Sequence, residues 1–279
     1  TFDLVRMKSS QASLQNTRYF EAVNLSPEAT NIPNRRNLRI TVKEGRTGNI
    51  SFGAGFSTVE KLVGFVEVSQ SNFDLFNYRS GFQGDGQKFR LRLSLGSSSN
   101  EVVLAFEEPW MFERELAFGF AIYRTESSYL SSDFDEMRMG FELYLRKRLF
   151  ELVEGRLSYR LEDVEISDVN ATASNQIREE EGRRSVSKVG LTLTRDTRDR
   201  FLFPTRGTRL QSISEYAGGA VGGETDYFRQ EFRASHWIKV ADTGEQTIAF
   251  IGRAGTIWPY SDERVPFFDR YFLGGPYNL

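Results

Sequence analysis

Between Met137 and Glu162 the chain alternates apolar and polar side chains with a period of two, and this parity limits the possible folds more than any other feature. Met137, Met139, Phe141, Leu143 and Leu145 are apolar, while Arg138, Gly140, Glu142, Tyr144 and Arg146 are charged, polar or small. Past Arg148-Leu149-Phe150-Glu151 the pattern resumes. Val153, Gly155, Leu157, Tyr159 and Leu161 share one face, and Glu154, Arg156, Ser158, Arg160 and Glu162 share the other. Successive strand side chains point to opposite faces, so the stretch reads as a hairpin and not as a helix. Charge matching predicts its register. Arg138 faces Glu162, Arg146 faces Glu154, and Glu142 lies diagonal to Arg156 and Arg160, while Phe141 meets Tyr159 and Leu143 meets Leu157. Each strand runs for roughly ten residues, about what a tilted strand needs to cross a bilayer.

The same parity recurs from Asn49 onward. Ile50, Phe52, Ala54 and Phe56 alternate with Ser51, Gly53, Gly55 and Ser57, and Leu62, Gly64, Val66 and Val68 form a partner. Further strands follow at Phe89–Leu95, Val102–Phe106, Leu116–Ile122, Val189–Leu193, Leu210–Tyr216, Asp226–Val240 and Gln246–Trp258. With the hairpin, this predicts eleven consecutive antiparallel strands. Longer connections gather at one end, among them Thr125–Asp133, the polar segment Asp163–Arg184 and Ala217–Thr225; the other end has mostly tight turns. That asymmetry is the outer-membrane barrel pattern. Trp110, Tyr123, Phe134, Tyr144, Tyr216, Tyr227, Trp237 and Trp258 fall near strand ends, where aromatic girdles sit. A soluble barrel or sandwich would show the same parity with its apolar face turned inward. Strand number favours the membrane, because so many meandering strands make a barrel wide enough for a polar interior.

Composition removes several function classes. With 36 basic and 38 acidic residues the formal net charge is −2, which argues against a nucleic-acid surface. No apolar run is long enough for a transmembrane helix, which says nothing against a barrel. There is no cysteine, hence no disulfide, Cys-ligated zinc or thiol chemistry, and the single His236 has no second histidine for a zinc site. No catalytic constellation, metal set or cofactor site emerges. Asp196, Arg198 and Asp199 read as a salt-bridged turn, and Glu107 and Glu108 as a strand end. Gly218-Gly219-Ala220-Val221-Gly222-Gly223 precedes a strand and lacks the Lys-Ser/Thr pair of a phosphate loop.

The first 45 residues differ. Asp3–Asn16 places Leu4, Met7 and Leu14 at helical spacing; Thr17–Val23 and Leu38–Val42 read as strands, with Ser26–Arg36 as a loop. Taken in order, four stretches resemble the POTRA-plus-barrel family of outer-membrane protein assembly factors. They are Thr17–Val23, Val42–Phe56, the turn Asp196-Thr197-Arg198-Asp199 with Phe203-Pro204-Thr205-Arg206-Gly207, and Val265–Gly275. The resemblance implies that residues 1–46 are the C-terminal part of the last POTRA domain, an α+β module. It makes residues 47–279 an all-β partial transmembrane antiparallel barrel, about eleven of the family's sixteen strands. The chain, running from Thr1 to Leu279 without a closing strand, is then expected to be an excerpt cut at the start of extracellular loop 6.

By the same resemblance, Asn49, Ile50, Ser51, Phe52, Gly53, Ala54, Gly55 and Phe56 form a lateral edge where client strands pair before release into lipid. Phe272, Leu273, Gly274 and Gly275 lead into an inward-folding loop. Expected partners are unfolded outer-membrane protein clients, BamD-like accessory lipoproteins at the POTRA part, and the lipid bilayer of a bacterial outer membrane; no cofactor and no enzymatic activity are implied. Two readings of Gly53 and Gly55 stay open: they weaken the first strand, or they make room inside the barrel. A secretion channel or passive pore on the same plan is the alternative function.

Overall fold

The computed structural model describes residues 7–8, 10–11, 14–15, 19–32, 35–57, 61–128, 133–240, 246–261 and 264–271. Thirteen strands form two sheets. Strands β1 (Phe20–Ala29) and β2 (Arg36–Glu44) make an antiparallel ribbon. Strand β1 runs through Pro27 to Ala29, so part of the expected Ser26–Arg36 loop is strand. Proline is tolerated there because a ribbon strand has an edge that needs no donor. Of the expected helix at Asp3–Asn16, the described residues Met7, Lys8, Ser10, Gln11, Leu14 and Gln15 are helical.

The second sheet has eleven strands in strict sequence order, each antiparallel to the next. They are β3 (Gly48–Ser57), β4 (Lys61–Phe73), β5 (Gln87–Gly96), β6 (Ser99–Glu108), β7 (Leu116–Ser127) and β8 (Asp135–Phe150), then β9 (Val153–Ser167), β10 (Gly182–Asp196), β11 (Gly207–Ala217), β12 (Tyr227–Lys239) and β13 (Thr247–Pro259). The eleven expected strands are present. The segment Asp163–Arg184 is less loop than its polarity implied, because β9 extends to Ser167 and β10 starts at Gly182, with a short helix (Asn175–Glu179) between them. An Arg183–Asp163 pair joins the two extensions. A charged strand continues beyond its apolar stretch when its neighbour supplies the countercharge.

The β8–β9 register differs from the expectation by two residues. Arg146 lies opposite Arg156, Gly140 opposite Glu162, Phe141 opposite Leu161 and Leu143 opposite Tyr159. The turn is centred on Glu151-Leu152, with a bulge between Arg148 and Phe150, two residues later than the centre of the four-residue link assumed from sequence. The expected ion pairs survive: Arg146–Glu154 at 3.0 Å and Arg138–Glu162 at 3.8 Å as diagonals, while Arg160 stands directly opposite Glu142 and Arg156 reaches the same carboxylate from further along β9. A slip of two keeps every side chain on its face, so long arginines reach the same carboxylates from either register.

One face of the sheet is apolar and exposed, the other carries the charges. Charged-face side chains converge across intervening strands, as on a concave surface. Tyr123 on β7 donates to Glu162 on β9 at 2.6 Å, and Tyr144 on β8 donates to Glu107 on β6 at 2.7 Å. This corrects the girdle assignment. Tyr123, Tyr144, Tyr227 and Trp237 share parity with the charged face, and Phe134 packs on Phe267; Tyr216 and Trp258 remain on the apolar face, stacked on Tyr260 and Phe228. Polar side chains on the apolar face pair with one another: Ser214 donates to Gln230 at 2.6 Å, Gln230 donates to Ser212 at 3.0 Å, and the Thr208 hydroxyl lies 2.7 Å from His236 Nδ1. Those groups satisfy one another, which lowers the cost of facing an apolar medium.

Candidate functional site

All eight expected edge residues, Asn49 to Phe56, lie on β3, at one end of the sheet. Among the described residues β3 is paired only with β4, in a register running from Gly48 opposite Gln70 to Ser57 opposite Lys61. The strand contains no charged residue, and Ile50, Phe52 and Phe56 are 71%, 82% and 76% exposed on the apolar face. On the charged face Asn49 donates to Ser51 at 2.7 Å. The four loop residues Phe272, Leu273, Gly274 and Gly275 lie outside the described residues.

The structure separates the two edge glycines. A Cβ on Gly53 would stand 2.7 Å from the Phe65 ring, which lies directly across on β4. Phe65 in turn carries the Arg92 guanidinium 4.8 Å above its ring, and Arg92 pairs with Glu67 and Glu101. Gly53 therefore makes room for an aromatic that anchors an ion-pair cluster. Gly55 has no such tenant: a Cβ there would meet only Val63 Cγ1, at 4.0 Å. Packing therefore does not require a glycine at this position. Phe65 was not singled out from the sequence, although its odd position, in step with Glu67 and Ser69, was the available signal.

Segment 264–271 crosses the concave face. The residues Val265 to Asp269 are buried, with Phe267 and Phe268 packed on Val164, Ile166 and Val186. Arg138 on β8 donates to the Phe268 carbonyl at 3.0 Å, and Lys188 on β10 lies 3.7 Å from Asp269 and 2.9 Å from Glu162. On β12, Arg229 donates to the Asp269 carbonyl, and Tyr271 lies over Gly255 of β13. Glu180, beyond the short helix, accepts from the Phe267 amide through both oxygens, at 3.0 and 3.2 Å, while burial pushes its carboxyl above the usual range. The hold of this segment on Lys188 was not legible in the sequence, because residues so far apart share no local pattern.

The Asp196–Gly207 turn is a salt-bridged cap, as its composition implied. Arg198 donates to Asp196 at 2.9 and 3.0 Å, and Asp199 accepts from the Thr205 and Arg206 amides at 2.9 and 3.1 Å. The Thr205 hydroxyl and these amides hold the Asp199 carboxyl well below its ordinary range. Gly207 has a positive φ of 111° and would clash with the Thr197 carbonyl if it carried a side chain. The glycine-rich run Gly218–Gly223 is likewise structural: Gly223, at φ 92°, bridges to Val186, and Ser187 donates to the Val221 carbonyl at 2.6 Å. Among the described residues no three metal-type ligands converge.

Comparison with known proteins agrees with this architecture. The outer membrane protein assembly factor BamA of Nitratidesulfovibrio vulgaris is 27% identical over 276 residues, covering 98% of this chain and 33% of its own length. The human sorting and assembly machinery component 50 homolog is 24% identical over 198 residues, 70% of this chain and 41% of its own. The chain thus spans about a third of the length of the bacterial relatives. The crystal structure of BamA from Haemophilus ducreyi lacking POTRA domains 1–3 superposes with a TM-score of 0.74 at 19% identity, covering 98% of this chain and 53% of that one. The fold is that of a partial BamA-type barrel. Residues 82–279 match the Omp85 superfamily domain, and the chain belongs to that superfamily.

Proposed function

We propose that this chain is the barrel-opening part of an outer-membrane protein assembly factor, in which the open edge of β3 receives and templates a client β-strand. The observation that carries the reading is β3 itself, a ten-residue, charge-free strand at one end of the sheet, in a chain of the Omp85 superfamily. An extended client segment gains a full set of backbone hydrogen bonds on such an edge, and alternate apolar side chains then face lipid. Relatives named as assembly factors in bacteria and as sorting and assembly components in animals support the role.

On this reading residues 1–46 are the end of a POTRA domain on the periplasmic side, where accessory lipoproteins dock, and residues 47–279 are wall. The work is done by backbone pairing, without a cofactor or a catalytic side chain. A secretion channel would use the same wall without client pairing.

The chain has no native cysteine, so single cysteines from Ile50 to Phe56 in the full-length protein report the edge cleanly. Trapped clients should crosslink through their terminal strand in one register, because pairing fixes which residues oppose each other. Register-free crosslinking in an active barrel sinks the templating idea, and no crosslinking under client load favours the channel.

A further inference from the structure

The apolar face carries an unpaired cation whose directly opposed neighbours are hydrocarbon. Arg195, next to last in β10, has the parity of Val189, Leu191 and Leu193, so it points away from the concave face. Its cross-strand neighbours are Val153 on β9 and Leu210 on β11. Its guanidinium makes no ion pair with any described residue, while Arg198, three positions on, is fully engaged by Asp196. Above Arg195 opens a groove of about 310 Å³ lined by Val153, Leu193, Leu210, Phe232 and Ala234. The register explains the hollow, since Ala234 stands beside Leu210 and Ser212 beside Leu193, small side chains between large ones.

Charge on this face is one-sided. Lys147 on β8 lies one pairing row further from the turn, at the level of Gly155 and Leu193. In the turn-side half of β8 to β12 the apolar face holds no carboxylate. A guanidinium at the rim of an apolar groove needs a counterion, and its planar fork can bind a phosphate through two parallel hydrogen bonds.

We propose that this groove is a binding site for an anionic phospholipid of the leaflet on the turn side. One acyl chain lies against Leu193, Leu210 and Phe232, and the phosphate is held by Arg195, with Lys147 adding long-range attraction. The site rests on the membrane-wall reading and goes beyond it by giving the wall a preferred lipid at a fixed place. It lies on strands β9 to β12, six or more strands from the β3 edge.

The full-length protein in nanodiscs, carrying either a photoactivatable phosphatidylglycerol or the matching phosphatidylcholine, provides the test. Peptides containing Val153 and Leu193–Leu210 should take up the phosphatidylglycerol label in about fivefold excess over phosphatidylcholine, the preference one arginine confers near a membrane surface. Arg195→Gln should remove that excess. Ala234→Trp, which fills the groove while keeping the charge, should reduce labelling by both lipids at these peptides. Equal labelling by the two lipids in the unmodified protein overturns the site and leaves the wall reading intact, as does an excess that survives Arg195→Gln. Labelling unchanged by Ala234→Trp overturns the groove as the acyl subsite. No labelling by either lipid overturns the membrane wall itself, and the site with it.

Discussion

The β3 edge and the β6–β10 block are made from the same hairpin repeat, but their neighbours are held by different means. From β6 to β10 the concave face is stitched across strands. Glu107 binds Lys88, Tyr144 and Arg146; Glu142 binds Arg156 and Arg160; Glu162 binds Tyr123, Arg138 and Lys188. Beyond the backbone ladder, Glu107 therefore joins β5, β6 and β8, Glu142 joins β8 to β9, and Glu162 joins β7, β8, β9 and β10. Strand β3 carries no charged residue and contributes one polar side-chain contact, Asn49 to Ser51, within itself. The stitching reaches towards β3 only as far as Arg92, Glu67 and the Phe65 ring covering Gly53. A sheet built this way concentrates its side-chain cross-links in the middle and leaves its first strand with little besides backbone pairing, which is what the proposed exchange of partners at β3 would need.

The largest effect should come from the stitched block. Glu162→Ala leaves buried Lys188 facing Asp269 alone and strips Arg138 and Tyr123 of a partner; removing one member of such a pair costs about 3–5 kcal/mol. Urea unfolding of the full-length barrel measures it, and a loss as small as that from an edge mutation would erase the contrast between the regions. Next, Leu191→Arg, mid-strand on the apolar face, should cost about 2–4 kcal/mol in folding titrations, and Thr192→Arg on the concave face much less. Equal costs would mean the two faces do not meet different solvents.

The edge itself is sharpened by its two glycines. Gly53→Val must displace Phe65 from under Arg92, and overpacking of this kind costs about 1–3 kcal/mol. Gly55→Val enters free space and should change stability by less than about 1 kcal/mol, while its β-branched side chain stiffens the strand and slows client insertion. Insertion rates that follow the stability loss at Gly53 instead of the stiffening at Gly55 would detach edge looseness from function. The smallest effect is expected in the turn. Because the Asp199 carboxyl is depressed in the folded protein, its contribution is complete above the ordinary aspartate range and is lost as pH falls through the lowered value. Hydrogen exchange at the Thr205 and Arg206 amides should therefore stay protected at pH 4 and open only in stronger acid, whereas Asp199→Ala, which removes the acceptor, should show the open behaviour at any pH.

Alternation made the wall readable, because a period of two survives wherever one face meets water and the other does not. Leu91, Leu93, Phe118 and Phe141 announce their faces without any partner in view. Register was less readable, since arginines at 146, 156 and 160 satisfy the same carboxylates under two pairings and only the bulge beside Leu149 decides between them. Tyr123 and Tyr144 were misplaced by nearness to strand ends when their parity already put them with the charges. The edge was reached through family resemblance, because a charge-free strand with glycines looks alike whether it is paired on one side or on two. Lys188, Glu162 and Asp269 form a cluster that no local window contains.

The segment that holds Asp269 also has a consequence for how the chain folds. Every strand pairing in the eleven-stranded sheet joins sequence neighbours, so the wall can grow hairpin by hairpin, and each step closes only a short loop. The contacts of Val265–Tyr271 are of another kind: Arg138 reaches Phe268 across 130 residues, and Glu180 reaches Phe267 across 87. Their loop-closure entropy is recovered only after β8 to β12 stand in register, because the surface that receives Phe267 and Phe268 does not exist before then. Docking of this segment is thus a late event in folding, and it proofreads the strands beneath it, since a misregistered β9 or β10 would present neither Val164 and Val186 nor Lys188 where the segment needs them.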